Sequence, residues 1–348
     1  MSAGTATLPI EAVQSSSRPR VASAAHRLPL LDAMRLFAAV GIVWMHAAGS
    51  AQGQMLFPLG TFGVPFYTLV AVLFMARGLS RDTELPLSRY IASRFQRIYI
   101  PFLFWSLIYV LLAEAKLIVT DQTMQLPHWS TLYAGGQQHL WFLPYLMVVT
   151  IVGALLVRGL MNAARLRYLA IALLIVGGTV LAALPEPAWV AHRVQDRELW
   201  SFALRGLPTA CWAIAIALAF CVGGRLPRTP GWLAIVGSVV LVCTLAAQPF
   251  FGATSFIRGL CGLGCLCIAL YPMRSSGLEW IGVLGRHSFG IYLSHVLFLR
   301  VIAVWTQRYD IAPSLSLDVM SFVIALSGGL ILSMLLSRSR WKRWTLGE

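Results

Sequence analysis

Charge is scarce in this chain. Only 11% of its 348 residues are charged while 58% are hydrophobic, whereas an ordinary soluble domain carries about 25% charged residues. That leaves too little polar surface to cover a water-soluble globule, so lipid must be the solvent for most of the chain. Familiar catalytic signatures are missing as well. The absence of a Walker loop, a His-Glu-x-x-His and a Gly-x-Ser-x-Gly argues against an ATP-driven pump, a zinc metalloprotease and a serine hydrolase of the nucleophile-elbow class. It leaves a secondary transporter open. Cysteine is sparse too: Cys211, Cys221, Cys243, Cys261, Cys265 and Cys267 fall inside apolar stretches or at their ends. They read as small buried hydrophobes rather than metal ligands or a disulfide framework, and no metal is expected.

What the chain has instead is apolar length. Ten segments read as membrane helices, at approximately 30–49, 59–79, 98–119, 139–158, 168–184, 201–223, 231–247, 253–272, 284–305 and 317–336. Most are near the 20 or so residues that a bilayer demands. The prediction is an all-α, polytopic transmembrane bundle of about ten helices.

Taking the amino terminus as cytoplasmic sorts the basic residues. That side receives Arg18, Arg20 and Arg27; Arg77, Arg81, Arg89, Arg94 and Arg97; Arg158, Arg165 and Arg167; Arg225 and Arg228; Arg274; and Arg338, Arg340, Lys342 and Arg343. The other side receives Arg193, Arg197 and Arg308, with Lys116 near a helix end. The positive-inside rule predicts such an asymmetry, so both termini are expected in the cytoplasm. It also accounts for the net charge of +14 without a nucleic-acid partner. The expected organisation is a flexible cytoplasmic tail at 1–29, a membrane domain at 30–336 and a basic cytoplasmic tail at 337–348. A competing reading makes residues 1–51 a signal peptide, with Ala47-Ala48-Gly49-Ser50-Ala51 imitating a cleavage site. Asp32 and Arg35 interrupt its apolar region, and its loss would upset the charge alternation.

Ionisable groups inside membrane helices are costly and face a protein interior or a wet cavity. The first span holds Asp32, Arg35 and His46. Arg35 and His46 are eleven residues apart and share a face at about 16 Å axial separation, while Asp32 is placed to pair with Arg35. His139, beside Trp141, opens the fourth span on the side where His46 ends. In the ninth, Ser288, Tyr292 and His295 line one helix face. Each has a plainer reading: Arg35 reaching to the interface, the histidines and hydroxyls bonding neighbouring helices, the aromatics forming an interfacial belt. Arg89, Arg94 and Arg97 before Pro101 suit the phosphates of a nucleotide-like donor, and equally suit a topology signal.

Taken together, these segments resemble the acyltransferase 3 superfamily of bacterial membrane O-acyltransferases. Arg35 and His46 match its Arg, ten residues, His signature. Arg94-Phe95-Gln96-Arg97-Ile98-Tyr99-Ile100-Pro101 is similar to its Arg-x-x-Arg-Ile-x-x-Pro stretch, and His139-Leu140-Trp141-Phe142-Leu143 to its His-Leu-Trp-Phe-Leu element. Gly285 through His295 resembles its late Ser-x-x-Ile-Tyr-Leu-x-His element. The matches run in family order from 32 to 295. One departure stands out: after Gly63-Val64-Pro65-Phe66-Tyr67 the chain continues Val70-Ala71-Val72, without the family's Ser-Gly pair.

The resemblance implies transfer of an acyl group, acetyl above all with succinyl as the alternative, from cytoplasmic acyl-CoA to a hydroxyl of an extracytoplasmic glycan such as an exopolysaccharide. It implies a multi-pass protein of the bacterial inner membrane, with acyl-CoA as co-substrate, no permanently bound cofactor, and polysaccharide biosynthesis or export proteins as possible partners. His46 is then the base for the acceptor hydroxyl, since imidazole titrates near neutrality, or carries the acyl group itself. Arg35 holds the donor, steadied by Asp32; Arg94 and Arg97 hold the CoA phosphates; His139, Trp141, Ser288, Tyr292 and His295 line the acceptor side. Two other classes compete. A secondary transporter or flippase for a lipid-linked or amphipathic substrate would use the same polar groups as a path. A structural subunit of an export complex would leave the histidines dispensable.

Overall fold

The computed structural model describes residues 28–82, 86–119, 131–184, 197–220, 227–273 and 279–348. Most of the expected amino-terminal tail, with Arg18, Arg20 and Arg27, lies outside the described residues, as do Arg193, Arg225, Arg274, Cys221 and the side chains of Lys116 and Arg197. The described residues contain no strand. Ten principal helices follow one another: α1 (Pro29–Ala47), α2 (Gly63–Arg81), α3 (Leu87–Arg94, running through a π-helical turn at Phe95–Tyr99 into Ile100–Val119), α4 (Phe142–Leu160), α5 (Ala164–Ala183), α6 (Arg197–Phe220), α7 (Gly231–Phe251), α8 (Ser255–Ala269), α9 (Ser288–Arg308) and α10 (Leu315–Arg338).

Nine of the described helices are long and apolar enough to cross a membrane. The expected polytopic α-helical bundle is thus the observed architecture. The exception among the ten is α8, whose 15 residues reach about 22 Å, short of the roughly 30 Å hydrocarbon core. The segment expected at 253–272 is cut at both ends, by the Thr254 hydroxyl accepting from the Ile257 N–H and by the turn at Leu270. Seven of the 15 residues of α8 are buried, and it packs closely on its neighbours. Gly264 permits that fit: a Cβ there would stand 2.6 Å from the Gly237 carbonyl oxygen of α7.

Burial divides the helices. α2 is packed on α6, α8 and α4, and its Phe66, Leu69, Val72, Leu73 and Ala76 are almost wholly buried. α5 and α7 are the reverse, turning Leu169, Leu173, Val176, Ile235, Val239 and Val242 outward. Apolar surface on that scale needs a non-aqueous neighbour, which a bilayer supplies.

Three local expectations are corrected. Residues 87–97, expected as loop, are helical, so the third span begins at Leu87. Pro101 explains its irregular middle. A proline lacks the N–H for an α-helical bond and crowds the carbonyl four residues back. Just ahead of it the helix widens, and the Ile100 N–H reaches the Phe95 carbonyl five residues away in a π turn. The ninth helix, expected from residue 284, starts at Ser288. Gly285 ends a short helix, Glu279–Gly285, and presses on Asp32 so closely that a Cβ would collide with its carbonyl. The fourth begins with a 3-10 turn at Gln138–Trp141 before α4. After α10 the chain folds back: Lys342–Thr345 is helical, Thr345 is buried, and its carbonyl accepts from the Trp105 indole at 3.0 Å.

Candidate functional site

Three histidines meet at one end of the bundle. His46, in the last turn of α1, His139, in the 3-10 turn before α4, and His295, in α9, form a triangle of rings. Centroids are 6.0 Å apart for His46–His139, 5.2 Å for His46–His295 and 5.1 Å for His139–His295. They differ in access: His139 and His295 are buried, whereas His46 is exposed. His46 and His139 both line a cavity of about 390 Å³, shared with Trp141, Tyr292, Arg205 and Arg258. His46 is therefore the imidazole most open to a molecule in the cavity.

Each ring is held by its surroundings. The His295 Nδ1 lies 2.8 Å from the Tyr292 carbonyl and 3.1 Å from that of Ile291. Carbonyls only accept, so this nitrogen carries a proton. Tyr292 donates its hydroxyl to the His139 carbonyl, fixing the 3-10 turn from α9. Tyr109 packs edge-on against the His139 ring at 5.3 Å and donates to the Leu293 carbonyl at 2.8 Å. The turn that follows His46 is anchored by Asp318 of α10, which is buried. Its carboxylate accepts from the Gly49 N–H at 2.9 Å, the Ser50 N–H at 3.0 Å and the Ser50 hydroxyl at 2.5 Å. Ser50 in turn accepts from the Gly53 N–H at 3.0 Å, capping the helix Ala51–Met55. Gly41 completes the arrangement by letting residues 57–60 lie on α1; a Cβ there would stand 2.7 Å from the Leu59 carbonyl oxygen.

The remaining predicted residues lie elsewhere. Arg35 pairs with Asp32 at 3.4 Å and does not line the His46 cavity. Its carbonyl accepts from the Tyr67 hydroxyl at 2.6 Å. Tyr67 packs on Phe142 at 6.5 Å, and Phe142 is a cavity wall. Ser288 is buried beside Tyr67 and likewise outside the cavity. At the opposite end, Arg89 and Arg94 share a hollow of about 400 Å³ with Ser93 and Asp82. The Arg94 guanidinium sits 5.0 Å above the Tyr90 ring. Arg97 does not join them: it is exposed, with its backbone against Gly347. Val64 of α2 faces the first cavity and Gly78 the second hollow, so the two are about 21 Å apart along that helix.

Arg205, Arg258, Asp318 and Tyr109 were not singled out from the sequence. The first three are ionisable groups inside the spans expected at 201–223, 253–272 and 317–336, so the criterion that selected Arg35 and His46 was sufficient to select them. Tyr109 carried no such signal. Among the described residues no group of three or more His, Cys, Asp or Glu is arranged to hold a metal ion. The five described cysteines are free.

The family model of the acyltransferase domain, Acyl_transf_3, matches residues 28–338. No curated protein and no solved structure matches the chain. The match covers nearly all of the described bundle: the chain belongs to the acyltransferase 3 family and is a membrane acyltransferase. The transporter and structural-subunit readings therefore fall away.

Proposed function

We propose that this protein is an O-acyltransferase that moves an acyl group, acetyl in the first instance, from acyl-CoA to a hydroxyl of a glycan such as an exopolysaccharide. The observation that carries this reading is the cavity in which His46 is open to a bound molecule while His139 and His295 back it from two sides. The end bearing Arg89 and Arg94 faces the cytoplasm, as positive-inside charge placement implies, and the His46 cavity faces the extracytoplasmic side of a bacterial inner membrane.

A sugar hydroxyl is a weak nucleophile at neutral pH, so its attack on a thioester gains from a positioned base. His46 takes the hydroxyl proton as the oxygen bonds to the thioester carbonyl. The carbon–sulfur bond then breaks, the ester is left on the glycan, and the proton passes to the departing CoA sulfur. Arg205 and Arg258 supply positive charge beside the developing oxyanion, and Trp141 offers an apolar face for a sugar ring. Arg94 holds the nucleotide end of the donor. Arg35, steadied by Asp32, orients the pantetheine arm, whose approach to His46 leads past Tyr67 and Phe142.

The test is acyl-CoA-dependent thiol release by the purified protein in proteoliposomes, with glycan acceptor on the His46 side. Wild type releases CoA and esterifies the glycan. Folded His46→Ala does so about 10²- to 10⁴-fold more slowly, the range expected for a lost general base. Undiminished turnover by the variant rules out His46 as the base, and thiol release without glycan esterification rules out the acceptor class.

A further inference from the structure

Between α3 and α9 lies a separate hollow of about 240 Å³ that includes Tyr109, Leu112, Gln137, Arg300, Val301 and Val304. Leu112, Val301 and Val304 are exposed on the side of the bundle, the kind of surface that lipid covers. Arg300 stands among them, within a membrane-spanning helix and about 12 Å from its end at Arg308. Its Nη2 donates to the Gln137 amide oxygen at 2.8 Å. Arg300 forms no ion pair with a carboxylate among the described residues. A neutral amide orients a guanidinium but does not neutralise it, and a cation at that depth calls for a counter-charge.

We infer that this groove holds an anionic phospholipid of the leaflet on the His46 side, its phosphate on Arg300 and an acyl chain along Leu112, Val301 and Val304. Charge and shape select that occupant together. A guanidinium fork suits phosphate oxygens, and apolar walls open to the bilayer match a chain that a soluble anion lacks. The groove is not the catalytic cavity, but Tyr109 connects them: it lines the groove and its ring packs on His139 at 5.3 Å. Gln137, two residues before His139, fixes the guanidinium. A bound lipid therefore braces the turn that carries His139.

The experiment uses full-length protein equilibrated in nanodiscs of mixed phosphatidylcholine and phosphatidylglycerol, with retained lipid identified by native mass spectrometry. Wild type and Arg308→Gln, a charge change about 12 Å away at the end of the same helix, retain phosphatidylglycerol preferentially. Arg300→Gln loses that preference at least several-fold. Val301→Trp, which fills the groove and leaves the charge, loses it as well. Equal retention by wild type and Arg300→Gln overturns the proposal. So does undiminished retention by Val301→Trp, which would leave Arg300 as a surface charge reaching to the interface. Size-exclusion profiles and melting temperatures matching wild type establish that each variant is folded.

Discussion

The two ends of the bundle hold their polar side chains in different ways. Around His46, groups from α1, α3, α9, α10 and the 3-10 turn before α4 converge, and most are tied to a neighbouring element by a specific bond. Tyr292 reaches the His139 carbonyl, Tyr109 the Leu293 carbonyl, and Asp318 the Gly49–Ser50 turn. Away from His46 the cations diverge: Arg35 closes on Asp32, Arg94 covers Tyr90, and Arg97 faces outward. Convergence with fixed geometry suits the making and breaking of bonds, where small misplacements are costly. Dispersed cations suit the capture of a flexible polyanion, which needs charge more than registry.

Substitutions at the two ends should therefore fail differently. After His46→Ala, the largest effect is expected for His295→Asn, which removes the imidazole backing His46; turnover should fall about 100-fold with KM for acyl-CoA little changed, within the range for groups aiding proton transfer. Equal damage to KM and turnover would show that His295 shapes the fold rather than the reaction. Asp318→Asn comes next. Buried N–H groups lose a charged acceptor, which costs about 1–3 kcal/mol, so thermal melting should drop and turnover per folded molecule should fall about ten-fold. Tyr292→Phe deletes one hydrogen bond, about 1 kcal/mol, and should slow turnover about five-fold.

At the other end, Arg94→Gln should raise KM for acyl-CoA about two- to five-fold with turnover intact, the scale of a partly exposed ionic contact. A loss of turnover instead would erase the distinction between the ends. Arg97→Gln should fall within two-fold of wild type; a larger effect would place its guanidinium on the donor after all.

Hydropathy was enough to reveal the bundle, because each span must satisfy its own backbone in lipid and so declares itself locally. It could not tell α2 from α5, which are similarly apolar but lie respectively at the centre and the margin. That difference depends on which helices pack together. The ends of spans were lost for a related reason: Gly285 and Ser288 look continuous in sequence, and only the contact of Gly285 with Asp32 marks the break. The site was partly legible. His46, His139 and His295 stood out as polar groups in apolar surroundings, while their meeting required three distant segments to fold together. Asp318 was equally conspicuous, but its role depends on backbone N–H groups, which every residue offers and no sequence pattern flags.

The π turn at Phe95–Tyr99 shows what insertion or deletion would do here. Each residue advances an α-helix by about 100°. Deleting one residue from this turn would restore regular hydrogen bonding and rotate the rest of α3 by that angle. Trp105 would leave the Thr345 carbonyl and Tyr109 would turn from His139, so the repaired helix would belong to a different protein surface. Along this helix, a frameshift of one position is a change of address for every side chain beyond it, and the irregular turn sets where they arrive.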